Sequence, residues 1–494
     1  MNFDSGRIVL EAGSAPPTGA DFEVAALGHT GAAADLAVLF SNTRLIAELE
    51  ELGYIQILAA LRARWQQGVL VDDLFNLPLP IRSVAEYQAL FSHPPVTPEM
   101  PPYTSLMAGA QKWLPRAVRD FFIDPGEVNK KLWLIPVDPG EGQSAFYPDS
   151  HLNLLDLASA DAFSRALALP GLALIILPDY ERLQVPSNLE NIPRLRLDNP
   201  APTFLPCSTN MDDGIRERAS PTPNLNYPDP EPFSAAVHRM LSALKRFRPD
   251  VRLMLTMPFD QSLNGELPQI SAAAVTELNQ LKQSRFNASL HRLQLIYPYL
   301  RDANQQLGSA TALLAGQIAS RAVKAGPWRS IAGQNLPGDY QPWPNLSQAQ
   351  IARLRDEVGI GVLKRRLNAM QLDDERLSAG VFSTTDNAHG QDASGEISRF
   401  LGWLYRSLEN LGMALVFDDQ RGNRQGLIYL HDFFNRLYQL GALRGRTPEQ
   451  AYRIEQSIDG DGEQVIFSIA IAPAFPIDTI RISLQQDRVE FANV

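Results

Sequence analysis

The stretch that decides the fold is LALIILPD at residues 172–179, whose first six residues are all apolar. An apolar run of this length without polar alternation is typical of a strand that is buried on both faces. Similar runs occur in VRLMLTMPF (251–259), HRLQLIYPYL (291–300) and KLWLIPV (131–137), and FSAAVHRMLSALKRF (233–247) between them has helical spacing. Alternating strands and helices predict an α/β fold in which helices cover a parallel sheet.

The sequence before this region carries further helix and strand signals. FEVAALGHTG at 22–31 predicts a strand, and residues 43–66 predict an amphipathic helix or a helix pair interrupted at Gly53. The apolar stripe that we expect to be buried within 43–66 consists of Leu45, Ile46, Leu49, Leu52, Ile55 and Leu58. Ser83 and Glu86 form a capping-box pattern, which predicts a helix that starts at about residue 84.

The sequence after residue 300 is rich in helical patterns. The segment 309–328, SATALLAGQIASRAVKAGPW, predicts a helix whose small residues let another backbone approach closely, and Ser347 is a plausible cap for the next helix. A further amphipathic pattern covers residues 396–415. LHDFFNRLYQLGALRG at 430–445 predicts a helix that stops on a glycine, and IFSIAIAPAFPIDTIRISL at 466–484 supplies two apolar strands.

Composition excludes several classes of protein. The chain has 494 residues, 45% of them hydrophobic and 20% charged, so it can bury a sizeable core and should form two or more domains. A net charge of -11 offers no basic footprint for nucleic acid and argues against adhesion to anionic lipid. The single cysteine, Cys207, cannot form an internal disulfide. No secretory signal or membrane-spanning run is present, so we expect folding in the cytoplasm and no direct membrane insertion.

The candidates for chemistry are weak. Asp149, Ser150 and His151 are adjacent, but a catalytic triad is assembled across a fold, and a helix cap is the better interpretation. DGDGE at 459–463 favours a hairpin turn over a calcium loop, because the later calcium ligands are absent. His238 is more typical of a packed or rim histidine than of a ligand. We therefore predict no catalytic residue, no metal and no cofactor. The alternative from another class is a serine hydrolase that uses Ser150 or another serine with a distant His and Asp.

In chain order these segments resemble the successive blocks of contractile tail sheath proteins, which build the sheaths of phage tails, contractile bacteriocins and extracellular contractile injection systems. The most specific part is C-terminal: VFDDQ (416–420), an amphipathic helix ending in GALRG (441–445), TPEQAY (447–452) and IAPAFPIDTIRISL (471–484). Each motif alone is weak. Their common order and spacing, over nearly the whole chain, make the resemblance specific.

The resemblance implies a subtilisin-like but non-catalytic α/β core and an interlocking α+β domain made from both chain termini, with insertions. The implied divisions are an N-terminal arm (1–30), an outer α/β domain with a helical insertion at 43–66 (31–150), a subtilisin-like region with a proline-rich excursion at 180–232 (151–390), and a C-terminal domain (391–494).

The resemblance also implies function: a structural subunit that polymerises around an inner tube and contracts to drive the tube through a target envelope. Strands at both termini would add to the sheets of neighbouring subunits, which the alternation of Ile480, Ile482 and Leu484 with polar residues suits. The residues expected in this strand exchange are Ile8, Val9, Leu10, Ile480, Ile482, Leu484, Val489 and Phe491. Closure of the protein's own sheet by these strands is the other interpretation.

The implied partners are further copies of the chain, six per ring by resemblance, an inner tube protein, a baseplate and a cap or terminator, without nucleic acid. Assembly would be cytoplasmic, in a phage tail-like particle that is released or membrane-anchored. On the helix at 425–440, the residues that could contact the inner tube are Arg424, Asp432, Asn435, Arg436 and Gln439, and a solvated polar face is the alternative. A specialised sheath layer next to the baseplate or cap is the second function of the same class.

Overall fold

The computed structural model describes residues 22–99, 105, 107–124, 129–148, 157, 159–186, 232–260, 268–367, 369–379, 394–416, 422–458, 465–474, 480–485 and 488–490. Within these ranges the side chains of 413–416, 422–425, 458, 465, 480–485 and 488–490 are left undescribed. The expected N-terminal strand at 7–11, Cys207 and the Asp149–Ser150–His151 segment lie outside the described residues.

Helices occur along the whole described chain. In chain order they are α1 (Leu36–Ser41), α2 (Thr43–Glu51), α3 (Ile55–Gln66), α4 (Val84–Leu90), α5 (Leu114–Phe122), α6 (Ala162–Leu167), α7 (Pro178–Leu183), α8 (Phe233–Phe247), α9 (Ala272–Gln283), α10 (Thr311–Ala325), α11 (Gln348–Arg353), α12 (Gly395–Val416), α13 (Gly422–Gln439) and α14 (Pro448–Ala451).

Strands alternate with these helices. They are β1 (Glu23–Gly28), β2 (Ala33–Asp35), β3 (Val71–Asp72), β4 (Leu79–Ile81), β5 (Phe91–His93), β6 (Leu132–Pro136), β7 (Leu172–Ile176), β8 (Arg252–Thr256), β9 (Phe259–Asp260), β10 (Gln269–Ile270), β11 (Leu293–Tyr297), β12 (Tyr299–Arg301), β13 (Leu307–Gly308), β14 (Gln341–Trp343), β15 (Gly361–Arg366), β16 (Ala369–Leu372), β17 (Tyr452–Ile458), β18 (Val465–Ile471), β19 (Ile480–Gln485) and β20 (Arg488–Glu490).

The predicted parallel sheet is confirmed as the centre of an eight-stranded mixed sheet with the order β16-β15-β11-β8-β7-β1-β6-β4. The strands from β15 to β6 in this order pair in parallel, and β4 and β16 are antiparallel at the two edges. All four apolar runs of the sequence supply central strands, because a parallel strand with helices on both faces has no polar side.

Alternate residues of the central strands enter two different cores, apart from a register shift at Ala173 in β7. In β1, Val24 and Ala26 join the core that contains α1 to α5 and α10, whereas Ala25 and Leu27 join the core that contains α6, α8 and α9. This division follows from the two-residue period of a strand. The mixed α/β class is therefore built from one sheet between two helical layers.

The predicted helix starts are confirmed. The Ser83 hydroxyl accepts the Glu86 N–H at 3.1 Å, and Ser347 forms a reciprocal capping box with Gln350. Gly53, at φ +90°, separates α2 from α3. Because this break gives the second helix a new phase, Ile55 is 59% exposed, and its expected place in the buried stripe was wrong.

The large sheet contains strands from more than one of the expected domains. It takes strands from 23–28, 31–150 and 151–390, so a single sheet crosses the expected divisions at residues 30 and 150. The helices of 43–66 are part of one core layer, where Leu45, Leu49 and Leu58 are buried. A separate apolar cluster unites α12, α13 and the hairpin β17–β18, which lie in the expected C-terminal domain.

Candidate functional site

The C-terminal block, defined here as residues 395–490 of the described chain, holds most of the predicted functional residues. Its helix α13 packs through Leu430, Phe434 and Leu437, each exposed by 1% or less. These side chains meet α12, where Trp403 stacks on Phe433 at a ring-centroid distance of 6.0 Å. The helical spacing of Leu427, Leu430, Phe434 and Leu437 in the sequence predicts the buried face of this helix; the prediction is confirmed at the last three positions, and Leu427 is partly buried.

A left-handed glycine ends α13 and turns the chain towards the sheet. Gly441 has φ +72°, and the N–H of Ala442 donates to the carbonyl of Leu437 at 2.9 Å, as in helix ends that close on glycine. The GALRG segment then pairs with the chain after β18: Arg444 donates to the Ala472 carbonyl at 2.8 Å, and Ala474 donates to the Ala442 carbonyl at 2.9 Å. Two motifs that are thirty residues apart in sequence are therefore neighbours.

The last strands form a four-stranded antiparallel sheet in the order β17-β18-β19-β20. Ile458 lies opposite Val465, so the DGDGE segment, itself outside the described residues, connects two antiparallel neighbours, as a hairpin turn does. Ile471 lies opposite Ile480, and Ser468 lies opposite Ser483. In the single chain, β19 therefore pairs with the protein's own β18.

The structure places four of the eight expected exchange residues in the last two strands of this sheet. Ile480, Ile482 and Leu484 belong to β19, at register positions opposite Ile471, Ile469 and Phe467, and Val489 belongs to β20. Ile8, Val9, Leu10 and Phe491 lie outside the described residues. The same main-chain pairing can form within one chain or between two, because strand hydrogen bonds do not depend on chain identity.

The outer face of α13 carries the residues expected to contact an inner tube. Asp432 and Gln439 are exposed, and Asn435 and Arg436 are partly buried. Arg424 is in the helix, but its side chain is outside the described set. Ile428, which the sequence analysis did not single out, is 58% exposed and lies four residues before Asp432 on that face.

Of the sequence candidates for chemistry, only His238 lies within the described residues. The His238 ring packs on Phe286 at a centroid distance of 3.8 Å, which agrees with a packed histidine. No group of three or more His, Cys, Asp and Glu residues that could hold a metal is found in the described part of the chain. Across the same residues, no helix has the length and apolarity that a membrane span needs.

A buried charged network that the sequence analysis missed lies at the carboxyl ends of β1 and β7. The Asp179 carboxylate is fully buried and accepts the N–H groups of His29, Trp113 and Leu114, each at 2.9 Å. Arg182 donates from Nε to Asp179 at 2.9 Å and from Nη2 to His29 Nδ1 at 3.2 Å. The signal in the sequence was a polar residue directly after each of two apolar runs, LGHTG and ILPDY.

The network holds the Asp179 carboxylate ionised and does not arrange His29 as a catalytic base. Burial lowers the pKa of His29 to about 4, so the imidazole is neutral at pH 7. Burial alone would raise the pKa of Asp179, but His29, Arg182 and the backbone donors hold it below its ordinary value. Since His29 Nδ1 accepts from Arg182, it cannot donate to Asp179, and the orientation that a Ser-His-Asp triad requires is absent. The described residues that line the cleft beside His29 include no serine.

Known proteins match this chain by fold and not by sequence. No protein-family description and no curated protein match the sequence. A chain of the anti-feeding prophage (AFP) baseplate in the contracted state matches with a TM-score of 0.54 and 15% identity, over 98% of this chain and 98% of that chain. A chain of the AFP helical sheath in the contracted state matches with a TM-score of 0.50 and 14% identity, over 97% and 95%.

A chain of the six-fold symmetrised AFP baseplate also matches, with a TM-score of 0.50 and 15% identity over 85% of this chain and 89% of that chain. The two alignments that cover 97% and 98% of this chain include both the large sheet and the C-terminal block. At these identities the likeness is one of fold. The chain shares the fold of proteins from contractile sheaths.

Proposed function

We propose that the protein is a structural subunit of a contractile sheath, which polymerises around an inner tube and contracts to drive that tube through a target envelope. The observation that carries the proposal is the coverage of the fold match, which is 98% of both chains in one case and 97% and 95% in the helical sheath. A shared fold does not by itself specify function, so the assembly surfaces need their own tests.

The proposal includes the absence of enzymatic activity. The His29–Asp179 pair is oriented by Arg182 and has no serine beside it among the described residues. We further propose that the 151–390 region corresponds to a subtilisin-like but non-catalytic core. A purified protein that hydrolyses an activated ester, and loses this activity in a Ser150→Ala variant, would overturn this part.

Assembly in this proposal depends on strands given to neighbours. β19 and β20 lie beyond residues 475–479, at the end of a sheet whose remaining strands β17 and β18 form a hairpin. Part of the proposed N-terminal arm (1–30) is β1, a central strand of the large sheet, so the strand proposed for exchange in this arm is the one that includes Ile8, Val9 and Leu10. Each subunit would offer a strand and accept one, and such a heterologous contact extends into stacked rings or a helix instead of closing as a dimer.

The proposed partners are further copies, six to a ring, an inner tube protein, a baseplate and a cap. The proposed setting is assembly in the cytoplasm into a phage tail-like particle. A specialised sheath layer next to the baseplate is the second candidate, and the observation that favours it is the match to chains of the AFP baseplate, which reaches a TM-score of 0.54.

The first experiment is negative-stain electron microscopy of the full chain beside a chain truncated after Pro476. We expect tubes or stacked rings from the full chain and none from the truncated one. Discrete particles from the full chain, both alone and with its inner tube protein present, would contradict the sheath function.

A cysteine pair distinguishes strand exchange from self-closure. In a Cys207→Ser background, Ser468→Cys with Ser483→Cys places two near-isosteric thiols at directly opposite positions of β18 and β19. Exchange would give covalent ladders of subunits on a non-reducing gel, whereas self-closure would give cross-linked monomers. The control pair Glu455→Cys with Ser468→Cys bridges the β17–β18 hairpin and should remain within one chain in either case.

The outer face of α13 is tested by Ile428→Asn in the presence of the inner tube protein. Loss of an exposed apolar contact should reduce co-sedimentation with tubes if this face binds them. Ile55→Asn is the matched control, because Ile55 is 59% exposed and Ile428 58% exposed, and they lie on different helices. Equal effects of the two substitutions would indicate that the outer face of α13 is a solvated surface that does not bind the tube.

A further inference from the structure

The large sheet has a topological switch point between β1 and β7. The chain passes from β1 to β6 on one side of it, and then to β7 on the other side. The connection after β1 leads to helices in one core layer, and the connection after β7 leads to α8 in the other. In open α/β sheets, ligands bind in the crevice that such a divergence leaves at the carboxyl ends of the strands.

A cleft of about 580 Å³ opens at the carboxyl ends of β1 and β6, beside this switch point, and its described lining includes no residue of β7 or α7. That volume lies in the ordinary range for small-molecule sites. Its described lining includes residues that directly follow β1 and β6, among them Thr30, Gly31 and Val137, and residues of α4 and α5. Phe75, Tyr87 and Phe91 supply an aromatic wall.

The cleft is more basic than the chain as a whole. Lys112, Arg116 and Arg119 line it against Asp73 and Glu99, so its described lining has a net charge of +1, on a chain of net charge -11. The Asp73 carboxylate is already engaged by the N–H groups of Val96 and Thr97, at 2.9 and 2.7 Å. Arg116 is engaged as well, by the Asp120 carboxylate and the Gln306 carbonyl, so Lys112 and the exposed Arg119 are the cations of the lining that can gain from an incoming ligand.

Two cationic side chains at or next to this cleft, Lys112 and Arg182, already pair with carboxylates of the chain itself. Glu99 pairs with Lys112 and, at 3.2 Å, with Arg182. The Lys112 ammonium is only partly buried, with 17% of its side chain exposed, whereas Asp179 beneath it is fully enclosed. Glu99 follows β5 outside the regular elements, and its side chain is 8% exposed whereas that of Asp179 is 0% exposed, so Glu99 is the more accessible of the two carboxylates.

We propose that this cleft binds a small organic anion, whose carboxylate or phosphate group replaces Glu99 at Lys112 while its apolar part lies against the aromatic wall. Burial lowers the pKa of Lys112 to about 8, so the ammonium is still mainly charged at pH 7. The site lies on the large sheet and not on the C-terminal block. The proposal does not rest on the sheath function.

The test is isothermal titration calorimetry of the full chain with inorganic phosphate, citrate and ADP as separate probes. We expect saturable binding of at least one probe; citrate without phosphate assigns a carboxylate ligand, and ADP or phosphate without citrate assigns a phosphate ligand. Lys112→Met should weaken that binding about tenfold or more, because it removes a charge-assisted contact. Glu99→Gln should strengthen it, because the competing carboxylate is gone.

Lys131→Met is the matched control. Lys131 is also a partly exposed lysine that pairs with carboxylates, Glu23 at 2.6 Å and Glu48 at 3.5 Å, but it lies outside the cleft. Circular dichroism and the unfolding temperature show whether each variant folds, and if Lys112→Met does not fold, Glu99→Gln carries the test. Absence of saturable binding in both the natural chain and Glu99→Gln, or equal affinity in Lys112→Met and Lys131→Met, overturns the proposal.

Discussion

Asp179 connects three elements through one side chain. Its carboxylate accepts N–H groups from the end of β1 and from the start of α5, while Arg182 of its own helix α7 donates to it. The fit leaves no room at Gly28, where a Cβ would lie 2.7 Å from Asp179 Oδ2 and 2.9 Å from Leu114 Cβ. At the residue scale, the position of the buried Asp179 carboxylate therefore requires a glycine at position 28.

Asp179→Asn should destabilise the protein by about 3–5 kcal/mol, the usual range when one partner of a buried ion pair is removed. The amide turns an N–H towards donors that need an acceptor and leaves Arg182 without its counter-charge. Denaturant unfolding measures the effect. Glu357→Gln, in an ion pair whose side chains are 73% and 70% exposed, is the control and should change stability by less than about 0.5 kcal/mol. Equal effects would contradict the role of Asp179.

His29 should make stability fall as the pH drops from about 6.5 to about 4. Its pKa is about 4 in the folded chain and 6.5 when exposed, so the unfolded state takes up the proton first in this window. Below it, the loss is complete and amounts to roughly 3 kcal/mol. Glu181, whose pKa burial raises to about 7, acts with the opposite sign, because its contribution is lost as the pH rises from about 4.5 to 7.

A comparison with His29→Gln isolates the histidine, because the glutamine variant retains Glu181. The difference in unfolding free energy between the two proteins should change with pH through the 6.5–4 window and stay constant above it. A constant difference across the whole range would show that His29 titrates normally in the folded chain.

At the scale of elements, α5 and α10 cross with their backbones almost in contact. A Cβ at Gly316 would lie 2.2 Å from the carbonyl oxygen of Phe121. The small-residue pattern of 309–328 predicted such an approach, and the crossing confirms it. Ala312, Ala315 and Ala319 are buried in the same helix, so the whole face is kept short.

Gly316→Ala should destabilise the protein by about 1–3 kcal/mol or more, because an added methyl group has to separate two packed helices. Gly412→Ala is the matched control: this glycine also lies inside a helix, and its Cβ would meet nothing within 4 Å. The control should gain about 0.5–1 kcal/mol from reduced chain entropy. Thermal unfolding measures both, and a stabilised Gly316→Ala would refute the close crossing.

At the scale of the whole molecule, the C-terminal block joins the large sheet through buried charges. Arg399 on α12 pairs with Glu375, and their side chains are 2% and 0% exposed. Arg252 of β8 donates to the carbonyl of Gly395 at 2.6 Å, and Arg406 pairs with Asp250 at 3.0 Å. Ion pairs and hydrogen bonds form only at particular distances and angles, so these contacts fix how the C-terminal block lies against the large sheet. An apolar interface alone would fix this placement less tightly.

Glu375→Gln should loosen this joint, because Arg399 would remain buried without its counter-charge, at a cost of about 3–5 kcal/mol. Hydrogen exchange should rise in α12 more than in the central strands of the sheet. Glu455→Gln is the control, since its ion pair with Arg453 is on the surface and its side chain is 59% exposed. Unchanged exchange in α12 would contradict a joint held by Glu375.

The sequence by itself determined the local elements of this protein and most of their types. Continuous apolar runs specified the central strands, Ser83 and Ser347 specified helix starts, and the spacing of Leu430, Phe434 and Leu437 specified the inner face of α13. These signals are local, because burial on two faces, capping and helical periodicity each act over a few neighbouring residues.

The tertiary structure alone decided what lies next to what. The phase of α3 after Gly53 turned Ile55 outwards, and the sheet order drew its strands from both sides of the expected divisions. His29 and Asp179 are 150 residues apart and meet because β1 and β7 are neighbours, which no periodicity records. Strand pairing depends on long-range contacts whose partners are chosen by the packing of the whole molecule, so the charged network and its cleft required the fold.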